Sequence, residues 1–175
     1  MKQEGCVELL NSAEIGVVRK PSVSEMTEVQ ALVEGAAEAG AVLPRTEAEY
    51  YEHLRDFLVY ADEHGVGGCC ALHVDMASLA EIRSLVVRAD LRGAGVGRKL
   101  LEACTEEARA LGIARVYALT RVPALFQKLG FHEVDKRELP HKVFKDCVRC
   151  PLFPGCDESA MVRDLPVETP AHDPE

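Results

Sequence analysis

The sequence predicts a single α/β domain in which helices flank a mixed, mostly antiparallel central sheet. Three observations carry that expectation. Apolar residues recur by turns at strand and at helical spacing, in the order β-α-α-β-β-β-α-β-α-β. The 175 residues, 47% hydrophobic and 28% charged, suit one globular unit with a real core. Late in the series a strand runs into a glycine-rich loop and then a strongly amphipathic helix.

Val17 to Lys20 reads as the first strand. Pro21 and Ser22 open a helix carrying Met26, Val29, Leu32, Val33 and Ala36 on one face. Ala39 to Arg45 breaks that period and reads as a loop. Thr46 followed by Glu49 is a capping box for a second helix, with Tyr50, Leu54 and Phe57 on one face. Phe57 to Tyr60 and Gly67 to Val74, separated by His64-Gly65, form a hairpin signal. Asp75 to Ser78 turns the chain into Leu79 to Val87, the best strand in the sequence. The helix after the glycine loop carries Val96, Leu100, Leu101, Cys104, Ala108 and Leu111 in one stripe, and Gly112 stops it. Arg115 to Thr120 is a strand, Pro123 to Leu129 a short helix, and Gly130-Phe131 begins a further strand. No internal repeat is visible. The domain is expected over 16–145, a cysteine-containing segment over 146–165, and a proline-rich acidic tail without stable structure over 166–175.

A formal charge of −9 argues against nucleic acid, which demands clustered Lys and Arg. No apolar run approaches the roughly 20 residues of a membrane helix. The first residues lack the basic start and apolar core of a secretory signal, so a cytoplasmic location is expected. Seven cysteines, an odd number, suggest reduced thiols. The partners expected are small molecules, and a homodimer stays open.

Arg92-Gly93-Ala94-Gly95-Val96-Gly97-Arg98 links the best strand to the amphipathic helix. Glycines let backbone amides approach an anion, and a helix start adds unpaired N–H groups and the positive end of its dipole. Arg92, Arg98 and Lys99 supply charge that the acidic chain otherwise lacks. A diphosphate suits such a site. A dinucleotide unit would put the loop after the first strand, with an acidic residue about 20 residues on; here about four strands precede it. An ordinary tight connection without a ligand is the other reading.

Arg92-x-x-Gly95-x-Gly97 resembles the Q/R-x-x-G-x-G/A signature of the GNAT acetyltransferase superfamily, and Phe126 to Phe131 resembles its terminal Y-x-x-x-G-F segment. The resemblance covers about Val17 to Val134. It implies a GNAT fold with acetyl-CoA as co-substrate. The loop Arg92, Gly93, Ala94, Gly95, Val96, Gly97 and Arg98 would hold the pyrophosphate, and Leu85, Val86 and Val87 the pantetheine arm.

Leu43-Pro44-Arg45-Thr46, Glu81 to Val87 and Leu119-Thr120-Arg121 resemble the acetyltransferase domain of the N-acetylglutamate synthases, in their short stand-alone form, which open arginine biosynthesis. The resemblance implies that Arg45 and the backbone of Leu43 meet a substrate carboxylate, with Arg121 and the backbone near Ser84 helping. Arginine forks suit carboxylates. The alternatives are a solvated loop charge for Arg45 and a surface ion pair for Arg121. Glu81, in a Glu-x-x-Cys pattern with Ser84 replacing Cys, is the candidate base for the acceptor amine; the alternative is a strand glutamate paired with Arg83 or Arg115. Phe126 stands where many family members have a tyrosine that protonates the leaving thiolate. Glutamate leads as acceptor, with glutamine, aspartate, another amine or a non-catalytic acetyl-CoA sensor as alternatives.

Cys147-x-x-Cys150, followed by Cys156 beyond a Pro- and Gly-bearing turn, has metal-ligand spacing but lacks a fourth local ligand. His141 or a distant cysteine would have to complete it. Three reduced thiols in a compact turn is the favoured reading.

Overall fold

A computed structural model describes residues 16–139, 142, 147–150 and 155–166. Strand β1, Val17–Arg19, is short because Pro21 follows and cannot donate to a sheet ladder. Ser22 then donates its backbone N–H and its hydroxyl to the Glu25 carboxylate, both at 2.8 Å, and a 3-10 turn feeds helix α1, Met26–Glu38. Helix α1 buries Met26, Val29 and Val33, the stripe that its sequence period marks out.

Helix α2, Glu47–Glu52, starts at the Thr46/Glu49 capping box, with the Thr46 N–H on the Glu49 carboxylate at 2.7 Å. Its expected face does not reach Phe57. The chain leaves the helix at His53, makes a 3-10 turn over Leu54–Asp56, and opens strand β2, Phe57–Asp62. The aromatic and β-branched run Phe57-Leu58-Val59-Tyr60 suits a pleated, buried surface better than a helix. All four of those residues are buried.

Strands β3, Gly65–Met76, and β4, Leu79–Val87, complete a meander. After the glycine loop, helix α3, Val96–Ala110, runs back to β5, Arg115–Thr120. Helix α4, Pro123–Gln127, starts with proline in its first turn, where the missing N–H costs nothing. Strand β6, His132–Val134, follows. The last strand, β7, Ser159–Asp164, comes from the cysteine-containing segment and inserts between β5 and β6. The seven-stranded sheet has the order β1-β2-β3-β4-β5-β7-β6. Only β4 and β5 pair in parallel.

Two layers cover the sheet. On one face Leu100, Leu101, Cys104 and Ala108 of α3 meet Leu58, Leu72 and Ile82. On the other, Met26, Val29, Val33 and Tyr50 meet Phe57, Val59, Cys69 and Ala71. Among the described residues no helix is long and apolar enough to cross a membrane.

Candidate active site

The sheet opens at its centre. Strands β4 and β5 pair only at Leu79↔Arg115, Ala80↔Val116 and Glu81↔Tyr117, yet β4 continues to Val87 and β5 to Thr120. Beyond Glu81 they diverge, and among the described residues the β5-facing edge of Leu85, Val86 and Val87 has no strand partner. A bulge bends β4 at the same place. Ladder partners step from Ala71↔Arg83 to Cys69↔Val86, so β4 carries one extra residue. Ser84 absorbs it with φ of 53° and, among the described residues, is the sole non-glycine at positive φ.

The glycine loop stands where β4 ends. Gly93 and Gly95 have φ of 81° and 84°, the left-handed region that side chains resist, and Gly95 caps α3. A Cβ at either would meet nothing within 4 Å, so backbone conformation rather than space requires glycine. Gly97 is different: its Cβ would lie in ordinary contact, 3.6 Å from Leu125 and 3.7 Å from Val87. The first N–H groups of α3 point out of the helix here without intrahelical acceptors. The neighbouring cations contribute less than their number suggests. Arg92 donates through Nε to the Val87 carbonyl at 3.2 Å, Arg98 pairs with Glu102 at 2.8 Å, and Lys99 sits 5.6 Å from the Tyr60 ring centroid. Backbone amides and the dipole of a 15-residue helix are therefore the main source of positive potential at the loop.

On the other side of the opening, Arg45 reaches from the α1–α2 loop and donates from Nη2 to Ser84 Oγ at 2.9 Å. It is half-buried, 5.9 Å from the Phe57 ring centroid, and is not a solvated loop charge. Burial, and then the neighbouring Arg83 charge, press its pKa below the guanidinium norm. Glu81 is 3% exposed and faces Lys142, whose Nζ lies 2.7 Å from Oε1 and 2.9 Å from Oε2. Arg83 approaches Glu81 only to 3.9 Å, while Arg115 pairs with Asp164 at 2.6 Å.

Arg121 lies further out, with Nε on Asp157 at 2.7 Å and Nη1 on the Gly40 carbonyl at 2.8 Å. With Leu43, Pro44, Cys150 and Glu158 it borders a hollow of about 180 Å³. The structure thus groups Arg45 with Ser84 and Leu43 with Arg121, the second pair next to the cysteine segment. Phe126 is buried edge-on against Phe131, with centroids 5.3 Å apart.

Cys147, Cys150 and Cys156 are half-buried, and none of them is joined in a disulfide. They do not group at metal-ligand spacing; among the described residues His53, Asp56 and His73 do. His141 lies outside the described residues. Sequence reasoning missed Lys142 and Glu158. Lys142 is 61 positions from Glu81, and no local pattern announces the pair.

Comparison with known proteins follows the same lines. The acetyltransferase (GNAT) domain model matches residues 52–133. An uncharacterized N-acetyltransferase of Chlorobaculum tepidum is 36% identical, covering 85% of this chain and 96% of its own. The amino-acid acetyltransferase of Mycobacterium tuberculosis is 32% identical, covering 76% and 78% respectively. Among solved structures, N-acetylglutamate synthase from Neisseria gonorrhoeae, complexed with coenzyme A and N-acetyl-glutamate, superposes with a TM-score of 0.77 at 27% identity. That match covers 86% of this chain and 35% of the other. A Mycobacterium tuberculosis protein in complex with CoA and NLQ gives 0.75 at 27% identity, covering 85% and 99%. With fold similarity and sequence identity in agreement, the chain belongs to the GNAT superfamily of acetyltransferases.

Proposed function

We propose that this acetyltransferase moves the acetyl group of acetyl-CoA to the α-amine of an amino acid, with L-glutamate the leading acceptor and N-acetylglutamate the product. The reaction would be the first step of arginine biosynthesis, in the cytoplasm. The observation that carries the reading is Arg45, a half-buried guanidinium bonded to Ser84 at the β4 bulge, where the sheet opens. A cation held at that point suits an acceptor that brings a carboxylate with its amine, and disfavours a polyamine. Relatives named amino-acid acetyltransferase, and a structural neighbour complexed with coenzyme A and N-acetyl-glutamate, support it.

On this reading the pyrophosphate of acetyl-CoA rests on the amides of Gly93 to Arg98, with the pantetheine arm along the free edge of Leu85 to Val87. Arg45 and the Leu43 backbone take one acceptor carboxylate; Arg121 and the Ser84 backbone help from the sheet. Glu81 removes the amine proton, directly or through a water. The neutral amine attacks the thioester carbonyl, and the tetrahedral adduct collapses with the C–S bond breaking, the CoA thiolate leaving and the remaining ammonium proton of the adduct passing to solvent. Phe126 donates no proton to it. A thiol of ordinary pKa near 8.5 is an adequate leaving group without one.

The deciding experiment incubates the purified protein with acetyl-CoA and a panel of free amino acids, peptide amines and polyamines, and follows CoA release. Fast turnover with glutamate or a close analogue is expected. Turnover confined to peptides or polyamines would overturn the acceptor, and tight acetyl-CoA binding with no turnover would make the protein a sensor.

A further inference from the structure

A second cluster of chemistry lies beside this opening, and the transfer just described uses none of it. His53 ends α2, Asp56 sits in the 3-10 turn before β2, and His73 is in β3, paired across the ladder with Glu81. One ligand atom from each lies within 4.8 Å of the others. Both imidazoles present Nδ1 to the same oxygen, Asp56 Oδ2, at 2.8 Å from His73 and 3.2 Å from His53. Arg83 Nη2 approaches that oxygen too, at 3.7 Å.

Two imidazole nitrogens share that one oxygen, and at 3.7 Å Arg83 stays outside hydrogen-bond reach of it. Arg83 Nε and Nη2 are enclosed and, among the described residues, have no hydrogen-bond acceptor. Behind His73, Asp75 Oδ1 stands 4.0 Å from Nε2, and the Tyr117 hydroxyl donates to the Asp75 carboxylate at 2.6 Å. At 4.0 Å Asp75 makes no hydrogen bond to Nε2, but its charge favours the Nε2–H tautomer, which leaves the Nδ1 lone pair for a metal.

We propose that His53, Asp56 and His73 bind one divalent cation of borderline softness, such as Zn²⁺ or Co²⁺, with a solvent-derived fourth ligand facing Arg83. Tetrahedral bonds of about 2.0 Å put ligand atoms about 3.3 Å apart, so the 2.8 Å and 3.2 Å separations from Asp56 Oδ2 need open by at most a few tenths of an ångström. The cation would take the Nδ1 lone pairs of the two Nε2–H tautomers in place of the contacts those nitrogens make with Asp56, and its bound solvent would give Arg83 an acceptor. Two imidazoles and one carboxylate suit such ions, and do not suit Mg²⁺ or Ca²⁺, which take oxygen shells. Arg83 itself opposes a dication; Asp75 and Glu81 offset it.

The test titrates metal-free protein with CoCl₂ and reads the visible d–d absorption. One equivalent should give the intense band of a four-coordinate site. His53→Ala and His73→Ala should each weaken Co²⁺ binding by more than the roughly 10- to 100-fold typical of losing a mere supporting residue. A Cys147→Ser/Cys150→Ser/Cys156→Ser variant should keep the band unchanged. No Co²⁺ binding by the folded protein overturns the proposal. So does a band that persists in His53→Ala and vanishes in the triple serine variant, which would place the metal on the thiolates. His53 is partly exposed, so its alanine variant decides the matter should His73→Ala fail to fold.

Discussion

At Ser84, an unusual backbone conformation and a hydrogen bond to Arg45, the proposed acceptor cation, meet in one residue. A left-handed φ costs a non-glycine residue about 1–2 kcal/mol, and here it turns the hydroxyl toward Arg45. If Arg45 holds an acceptor carboxylate, Arg45→Ala removes a charge-assisted contact worth about 1.5–3 kcal/mol. Steady-state kinetics should then show KM for the amino acid rising roughly 10- to 100-fold, with KM for acetyl-CoA unchanged. Equal effects on both substrates would place Arg45 in support of the fold. Glu81 needs a more careful variant. Glu81→Gln alone breaks the buried pair with the Lys142 ammonium, and removing one partner of such a pair costs about 3–5 kcal/mol. The double variant Glu81→Gln/Lys142→Met removes both charges and is the sounder background. If Glu81 is the base, kcat falls roughly 10²- to 10⁴-fold in that background. The deficit shrinks as pH rises, because more of the acceptor amine is then neutral and needs no base. A deficit equal at every pH would mark Glu81 as structural.

Among the elements, the glycine loop and α3 give the cleanest test of the donor site. A side chain at position 97 starts from a Cβ in ordinary contact with Leu125 and Val87, so Gly97→Glu is expected to fold. Its carboxylate would stand among the first amides of α3 and repel a pyrophosphate. Calorimetry should show acetyl-CoA binding abolished while the melting curve stays close to that of the parent. Unchanged affinity would remove this loop from the donor site. The same elements show what the sequence makes legible. The Thr46/Glu49 box and the stripe of α3 from Val96 to Ala108 are fixed within a turn or two, so local residues announce them, whereas Leu111, expected in that stripe, caps the helix and is exposed. The bulge at Ser84 is not local, because it exists only in the register between β3 and β4. Arg45 and Ser84, 39 positions apart, were assigned to one substrate from resemblance, yet their hydrogen bond to each other had no sequence signal. Glu81 facing Lys142 is of the same kind.

For the molecule as a whole, the question is where the folded unit ends. The sequence places a boundary at 145/146 because the cysteine-bearing turn and its prolines interrupt every period. The sheet instead takes β7 from beyond that point and sets it between β5 and β6. Ser159–Asp164 pairs along all of β5, from Thr120↔Ser159 to Arg115↔Asp164, and carries β6 on its other edge. Ala160, Met161 and Val162 are each no more than 1% exposed. A chain cut after residue 145 would lose those side chains, leave β6 without a partner, and expose the backbone of β5. Cavities of that size cost about 2–5 kcal/mol for a single large side chain, against a total stability of about 5–15 kcal/mol for a domain. We therefore expect the 1–145 fragment to be unfolded or aggregated by circular dichroism and size exclusion, and a fragment ending at 166 to melt cooperatively near the temperature of the whole chain. A 1–145 fragment that folds and binds acetyl-CoA would show that β7 is an addition to the domain and not a part of its core.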